Sequence, residues 1–251
     1  MPQHQEFTQA KPFWDALDTV QICRNSIIHH IDLSQTNAYN LTFIDCTFIN
    51  VNFTDADLEG LTCTSTSFKN CDFLDANLTD ATFDNCAFFD ADTSTGCRFL
   101  RANLTHASFK NCDISSCNFE GAKLTRLLLQ ESKAMGTQFF RANMNHSARI
   151  VKSDLRYADL RGAKLAKCEV SENDFTWAKL DEADFQEANL MGSRLNGATV
   201  RYTKFAQADL RGADISSFDL RTMDLQGIKI WASQMETLIK NCEIIVFPDN
   251  R

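Results

Sequence analysis

Bulky apolar residues recur along this chain at every fifth position. Phe43, Phe48, Phe53 and Leu58 open a comb that continues through Phe68, Phe73, Leu78, Phe83 and Phe88. The comb shifts by one and resumes at Phe99, Leu104, Phe109, Ile114, Phe119, Leu124 and Leu129; it shifts again and runs from Leu155 to Ile230. Extended back to Cys23 and on to Met144, these combs hold 40 centre positions, none of them polar and 29 of them Phe or Leu. A small residue precedes many centres by two places, as at Ala56, Cys71, Ala76, Cys86, Ala102 and Ala158. Eight of the nine glycines follow a centre by two places, and Gly96 alone breaks that rule.

A period of five fits neither a helix at 3.6 nor a strand at 2.0. It fits a chain that turns a corner every five residues, so that about four repeats close one square coil and coils stack about 4.8 Å apart through their backbones. The centre residue fills the coil, the small residue fits at the corner, and glycine supplies the backbone freedom of the turn. Phe48, Phe68 and Phe88, twenty residues apart, are expected to form one stacked column. Proline is absent between Pro12 and Pro248, as a continuous hydrogen-bonded ladder requires. The expected fold is all-β, a quadrilateral parallel β-helix over residues 23–230, of about ten coils and roughly 50 Å in length.

Residues 1–22 form an N-terminal extension or cap, in which KPFWDALDTV is expected to be helical. After Ile230 the period of five stops, and residues 231–251 read as a C-terminal α-helix and tail. Met235, Leu238, Ile239 and Cys242 lie at helical spacing, with Ser233 as N-cap and Glu236 three residues on. Such a helix caps the open end of a solenoid. Its apolar stripe of Met235, Leu238 and Ile239 also suits an end-to-end homodimer interface. EIIVF beyond it reads as a short strand.

The body of a solenoid is generic, so the breaks in the period are the candidate sites. Phe88 and Phe99 lie eleven apart where two repeats need ten, which implies one extra residue in a turn over residues 89–98. Phe89, Asp90, Asp92, Thr93, Ser94, Thr95 and Gly96 make this turn polar, charged and projecting, suited to a basic partner surface. A second slip of one residue falls within residues 145–154, where His146, Arg149, Ile150 and Lys152 are the candidate partner contacts.

Composition narrows the function. No H-E-x-x-H, G-x-S-x-G, Walker A or dinucleotide fingerprint is present, and the five histidines are scattered. A binding protein without cofactor or metal is expected rather than an enzyme. Seven of the ten cysteines (Cys46, Cys71, Cys86, Cys97, Cys112, Cys117 and Cys168) occupy the small interior position and read as buried apolar residues. No apolar run approaches the roughly 20 residues that span a membrane, and the N-terminus has no signal-peptide pattern, so a cytoplasmic location is expected. Residues 1–97 carry 14 acidic and 3 basic side chains, net −11, whereas the remainder carry 19 and 22, net +3. Over residues 23–97 the density is about 0.5 net negative charge per Å of rod, against about 0.6 per Å for duplex DNA. A rod so charged does not itself bind nucleic acid.

The repeats ADLEG, ANLTD, ADLRG and GADIS resemble the A(D/N)LXX unit of the pentapeptide-repeat family over roughly residues 23–230. That resemblance implies a right-handed coil. More closely, FDNCAFFDADTSTGCRFLRANLTHASFKNCDIS and the ending MDLQGIKI, helix, IIVFPD are similar to the Qnr quinolone-resistance proteins. The likeness implies a dimeric rod that mimics DNA, binds DNA gyrase and topoisomerase IV, and relieves quinolone poisoning, conferring antibiotic resistance. Two projecting loops matter for protection in that family. The first carries over onto residues 89–97; the second matches residues 145–154 in place only and is shorter here.

Overall fold

The structure is a computed structural model that describes residues 5–17, 21–144, 147–216, 218 and 223–241. The strands, in chain order, are β1 (Gln5–Phe7), β2 (Ile22–Arg24), β3 (Ser26–His29), β4 (Thr42–Ile44), β5 (Thr47–Ile49), β6 (Thr62–Thr64), β7 (Ser67–Lys69), β8 (Thr82–Asp84), β9 (Phe89–Asp90), β10 (Thr95–Gly96), β11 (Ser108–Lys110), β12 (Leu128–Gln130) and β13 (Arg149–Val151). Two helices flank them, α1 (Ala10–Leu17) and α2 (Ala232–Asn241). The pentapeptide turns a corner because its last residue, two after the centre, takes a left-handed conformation. Asn50, Asp55 and Gly60 do so at successive corners, with φ of 54°, 55° and 69°. Glycine, Asn and Asp reach that region at the least cost, which is why they crowd this position.

Coils stack in parallel. One sheet has the order β1-β3-β5-β7, and another β13-β12-β11-β8-β6-β4-β2. Isolated parallel bridges such as Asp57↔Asn77 and Asp184↔Lys204 continue the ladders on the remaining faces and coils. The result is a quadrilateral parallel β-helix whose centre residues fill the interior. Phe48, Phe68 and Phe88 stack at 4.9 and 4.8 Å, and Phe53, Phe73, Phe99 and Phe119 at 4.8, 4.7 and 4.6 Å, with rings within 9° of parallel. These distances equal the strand spacing, because each ring rides on its own rung.

One corner column has a chemistry that the reading of the cysteines as apolar did not foresee. Ser26, Cys46, Thr66, Cys86, Cys112, Ser132, Ser153, Asn173 and Ser193 succeed one another along the rod, all buried. Here the corner N–H groups bond to side chains of the next coil: Cys112 N donates to Ser132 Oγ (3.0 Å), and Ser153 N to Asn173 Oδ1 (2.9 Å). The side chains in turn donate to carbonyls of the coil before, as Cys46 Sγ does to Cys23 O (3.5 Å) and Asn173 Nδ2 to Ile150 O (2.6 Å). A thiol at this corner therefore replaces a hydroxyl donor. Burial pushes the Cys63, Cys97 and Cys117 thiols up, so they are protonated at neutral pH.

Both ends of the rod are closed. β1 pairs with β3, Phe7 opposite Ile28, as one more rung, and α1 lays the buried Phe13 and Leu17 across the core. Residues 18–20 lie outside the described residues. At the other end, the Gln234 amide of α2 stands where the next peptide would be. Its Nε2 donates to Leu210 O and Ala213 O, both at 2.8 Å, and its Oε1 accepts from Gly212 N at 3.0 Å. Gln234→Ala is expected to destabilise the protein by about 1–2 kcal/mol, since it orphans these groups. Hydrogen exchange should show the loss concentrated at the Gly212 amide, with coils before Phe175 protected as in the parent.

Candidate functional site

The first break is built differently from the expected turn with one extra residue. Ladder partners before it are twenty residues apart, as Ser67↔Ala87, but across it Asp72 pairs with Arg98 and Ala87 with Asp113, twenty-six apart. Phe88 and Phe99 are therefore consecutive centres on adjoining faces. The excess is six residues, and they leave the rod as a hairpin. Cys97 N donates to Phe88 O at 2.9 Å across the neck, and β9 pairs antiparallel with β10.

Each residue of the hairpin has a separable job. Gly96 lies against the next coil: a Cβ there would meet Cys117 N at 2.4 Å, the Ser116 carbonyl carbon at 2.5 Å and Ser115 O at 2.6 Å. That close approach, not a left-handed φ, explains the one glycine outside the repeat rule. Asp90, expected as an exposed charge for a partner, is only 7% exposed. Its Oδ1 accepts from Asp92 N (3.1 Å) and its Oδ2 from Thr93 Oγ1 (3.0 Å), so its carboxylate holds the turn together. Thr93 and Thr95 share a hydroxyl bond of 2.7 Å. Lys69 of β7 approaches Asp90 Oδ1 at 3.8 Å and Asp92 Oδ2 at 3.5 Å. The surface offered outward consists of Ala91, Asp92, Thr93, Ser94 and Thr95, all exposed, with Ser94 at φ 57°. Phe89 is half-buried at the neck.

The second break changes the register by less. Lys123 pairs with Asn143 twenty apart, but Leu128 pairs with Arg149 and Lys133 with Asp154 twenty-one apart, so one residue is inserted between Asn143 and Arg149. Ile150, expected as a partner contact, is a centre residue of β13, fully buried and paired opposite Leu129. It belongs to the comb and was hidden by the slip. Arg149 and Lys152 are exposed on either side of it, and His146 lies outside the described residues. The C-terminal stripe also divides. Leu238 is 5% exposed, Ile239 is half-buried and Met235 is 56% exposed. Leu238 faces the rod of its own chain, because a solenoid end is itself an apolar surface in need of cover; Cys242 and the EIIVF segment lie outside the described residues.

A shallow trough of about 690 Å³ lies on the face of β13, lined in part by Arg149, Lys152, Glu169, Glu172, Arg211 and Trp231. Arg211 sits 5.1 Å from the Trp231 ring centroid, and its guanidinium hydrogen bond holds the Asp209 carboxyl below the usual range. Among the described residues no group of three or more His, Cys, Asp or Glu side chains is placed to hold a metal, and no helix is long and apolar enough to cross a membrane.

Comparison with known proteins agrees with this geometry. The sequence matches the pentapeptide repeat region over residues 61–139 and pentapeptide repeats over residues 26–60, 153–197, 168–205 and 188–227. No curated protein sequence matches significantly. Among solved structures, two trypsin-treated variants of QnrB1, described as a plasmid-mediated fluoroquinolone resistance protein, superpose with TM-scores of 0.76 and 0.75. They are 28% and 30% identical, covering 82% and 80% of this chain and 100% and 97% of theirs. Full-length QnrB1 superposes with a TM-score of 0.69 at 28% identity, covering 83% of this chain and all of its own.

Proposed function

The chain belongs to the pentapeptide-repeat family, and from that premise we propose that it is a Qnr-like binding protein for DNA gyrase and topoisomerase IV that protects them from quinolones in the cytoplasm. The observation that carries this reading is the six-residue hairpin on an otherwise regular rod, with a structural likeness to QnrB1 over four-fifths of the chain. Its neck is closed by backbone bonds and an obligatory glycine, so the exposed tip of Asp92–Thr95 is presented in a fixed geometry. The acidic N-terminal coils supply DNA-like charge density. The test is gyrase supercoiling in ciprofloxacin with the intact holoenzyme: added protein restores supercoiling if the reading holds, and has no effect at saturating amounts if it does not.

A second reading, an interaction protein for a different partner, is favoured by one observation. Across the second break the ladder register grows by one residue, against six at the first, where the Qnr likeness implies two projecting loops. Direct binding of gyrase and topoisomerase IV separates the two readings. A homodimer through the rod end belongs to the first reading. Met235 is the side chain to change, because Leu238 also caps its own core. Met235→Asp is expected to halve the mass in light scattering with the circular dichroism of the β-helix retained; an unchanged dimer removes Met235 from the interface.

A further inference from the structure

Ser116, Gly136, Tyr157, Trp177 and Gly197 occupy the same corner as the hairpin, on successive coils beyond it. The corner bonds fix this order: Ser116 N donates to Met135 O, Gly136 N to Arg156 O, Tyr157 N to Thr176 O and Trp177 N to Asn196 O. The hairpin leans onto the first of these coils through Gly96. Met135, Tyr157 and Trp177 are 42%, 57% and 57% exposed. The stripe is apolar and lacks net charge, because Arg156 pairs with Asp154 (2.7 Å) and Arg194 with Asp174 (3.7 Å) beside it.

Tyr157 and Trp177 stand at left-handed positions, both with φ of 60°. A bulky ring is disfavoured there. Apart from these two and Tyr202 on a neighbouring corner, every non-glycine residue with positive φ among the described residues is polar or charged. The Trp177 ring is bedded against Gly197, where a Cβ would meet it at 2.5 Å, so one face of the indole is held and the other meets solvent. Conformational cost retained at exposed positions points to use.

We propose that this corner, from the hairpin tip to Trp177, docks an amphipathic helix of the partner protein, apolar along one side and basic at one end. The occupant follows from charge and pitch. The hairpin is negative, with Asp90 and Asp92 facing the single ammonium of Lys69, and Asp92 is open to a cation. Beyond it the apolar side chains rise about 4.8 Å per coil, close to the 5.4 Å turn of a helix, so residues at helical spacing meet Met135, Tyr157 and Trp177 in turn. Four coil steps, about 19 Å, match a helix of about 13 residues. The inference rests on the hairpin corner facing the partner.

Two binding measurements test it, each on the full-length protein. The first probe is an alanine-based amphipathic helical peptide of about 13 residues with leucines at helical spacing and lysines in its last turn. The second is intact DNA gyrase. Tyr157→Asn with Trp177→Asn should weaken the peptide by roughly tenfold or more, as loss of an aromatic anchor does, while melting with the wild type. Tyr202→Ala should bind as the wild type, and a peptide with glutamates in place of lysines should bind more weakly than the lysine form. Equal binding of the lysine peptide to wild type and double variant, or no binding to either, overturns the docking surface. If gyrase binds the wild type and the double variant alike, the docking surface falls and the proposed function stands. If the peptide behaves as expected but gyrase binds neither, the proposed function falls and the surface stands.

Discussion

Deleting Asp90–Thr95 is expected to give a rod that melts with the parent and has lost gyrase binding and quinolone protection. The deletion joins Phe89 to Gly96 and brings Phe88 and Phe99 to a spacing of five. In the joined sequence Phe88 is a centre, Gly96 falls two places after it, where left-handed φ is needed, and Cys97 falls at the small interior position before Phe99. Every element of the repeat is then satisfied, so the twenty-residue coil closes without strain. Removing a single residue is a different experiment, since it leaves five extra residues, enough for the chain to add a face. The later coils are then free to shift register by one face, and a cooperative melt is expected to be lost. The measurements are thermal melting by circular dichroism, gyrase binding, and supercoiling in ciprofloxacin. A six-residue deletion that folds and still protects would move the site away from the hairpin, to the acidic coils of residues 45–84.

Phe99→Ala is expected to have the largest effect on stability. Its ring lies between Phe73 and Phe119 at 4.7 and 4.6 Å and meets Phe88 edge-on at 5.5 Å, with no exposure to solvent. Truncating a buried Phe costs about 3–5 kcal/mol through lost transfer energy and the cavity left behind. The rungs above and below are pinned by backbone bonds at 4.8 Å spacing and cannot collapse into the gap, which favours the upper end of that range. Against a typical total of about 5–15 kcal/mol, such a loss threatens the fold. A solenoid is coupled only through nearest neighbours, so a defect in the middle coils is expected to separate the melting of the two halves. Phe140→Ala is the control. That ring lies on the outside beneath Arg141 and Arg161, at 4.9 and 5.4 Å, and its loss should cost about 1 kcal/mol. Urea titration with two probes reads both effects.

Much of the architecture was legible in the residues alone. Period five, apolar centres, small corner residues and glycine two places on are all local requirements of one turn. A single pentapeptide therefore reports them, and the Phe48–Phe68–Phe88 column follows by counting. Four features needed the folded chain. Eleven residues between Phe88 and Phe99 read the same whether they are two repeats plus one residue or one repeat plus six, since periodicity counts residues and not faces. The pairings twenty-six residues apart, as of Asp72 with Arg98 and Ala87 with Asp113, distinguish the two. The second slip hid Ile150: counting on five from Met144 reaches Arg149, counting back five from Leu155 reaches Ile150, and only the burial of Ile150 decides between them. Side-chain direction at the breaks was equally closed to the sequence. Asp90 reads as surface charge until the bonds to Asp92 and Thr93 turn it inward, and Gln234 reads as one more polar helix residue until it meets the open rungs at Leu210, Gly212 and Ala213. Tyr157 and Trp177 stand in plain view in the sequence, but their alignment with the hairpin depends on which coils stack and at which corner. The sequence determined the repeat because its chemistry is contained within five residues; the tertiary structure decided where the proposed site lies because its residues are as far apart as Lys69, Asp92 and Trp177, which only the stacking of coils brings to one edge.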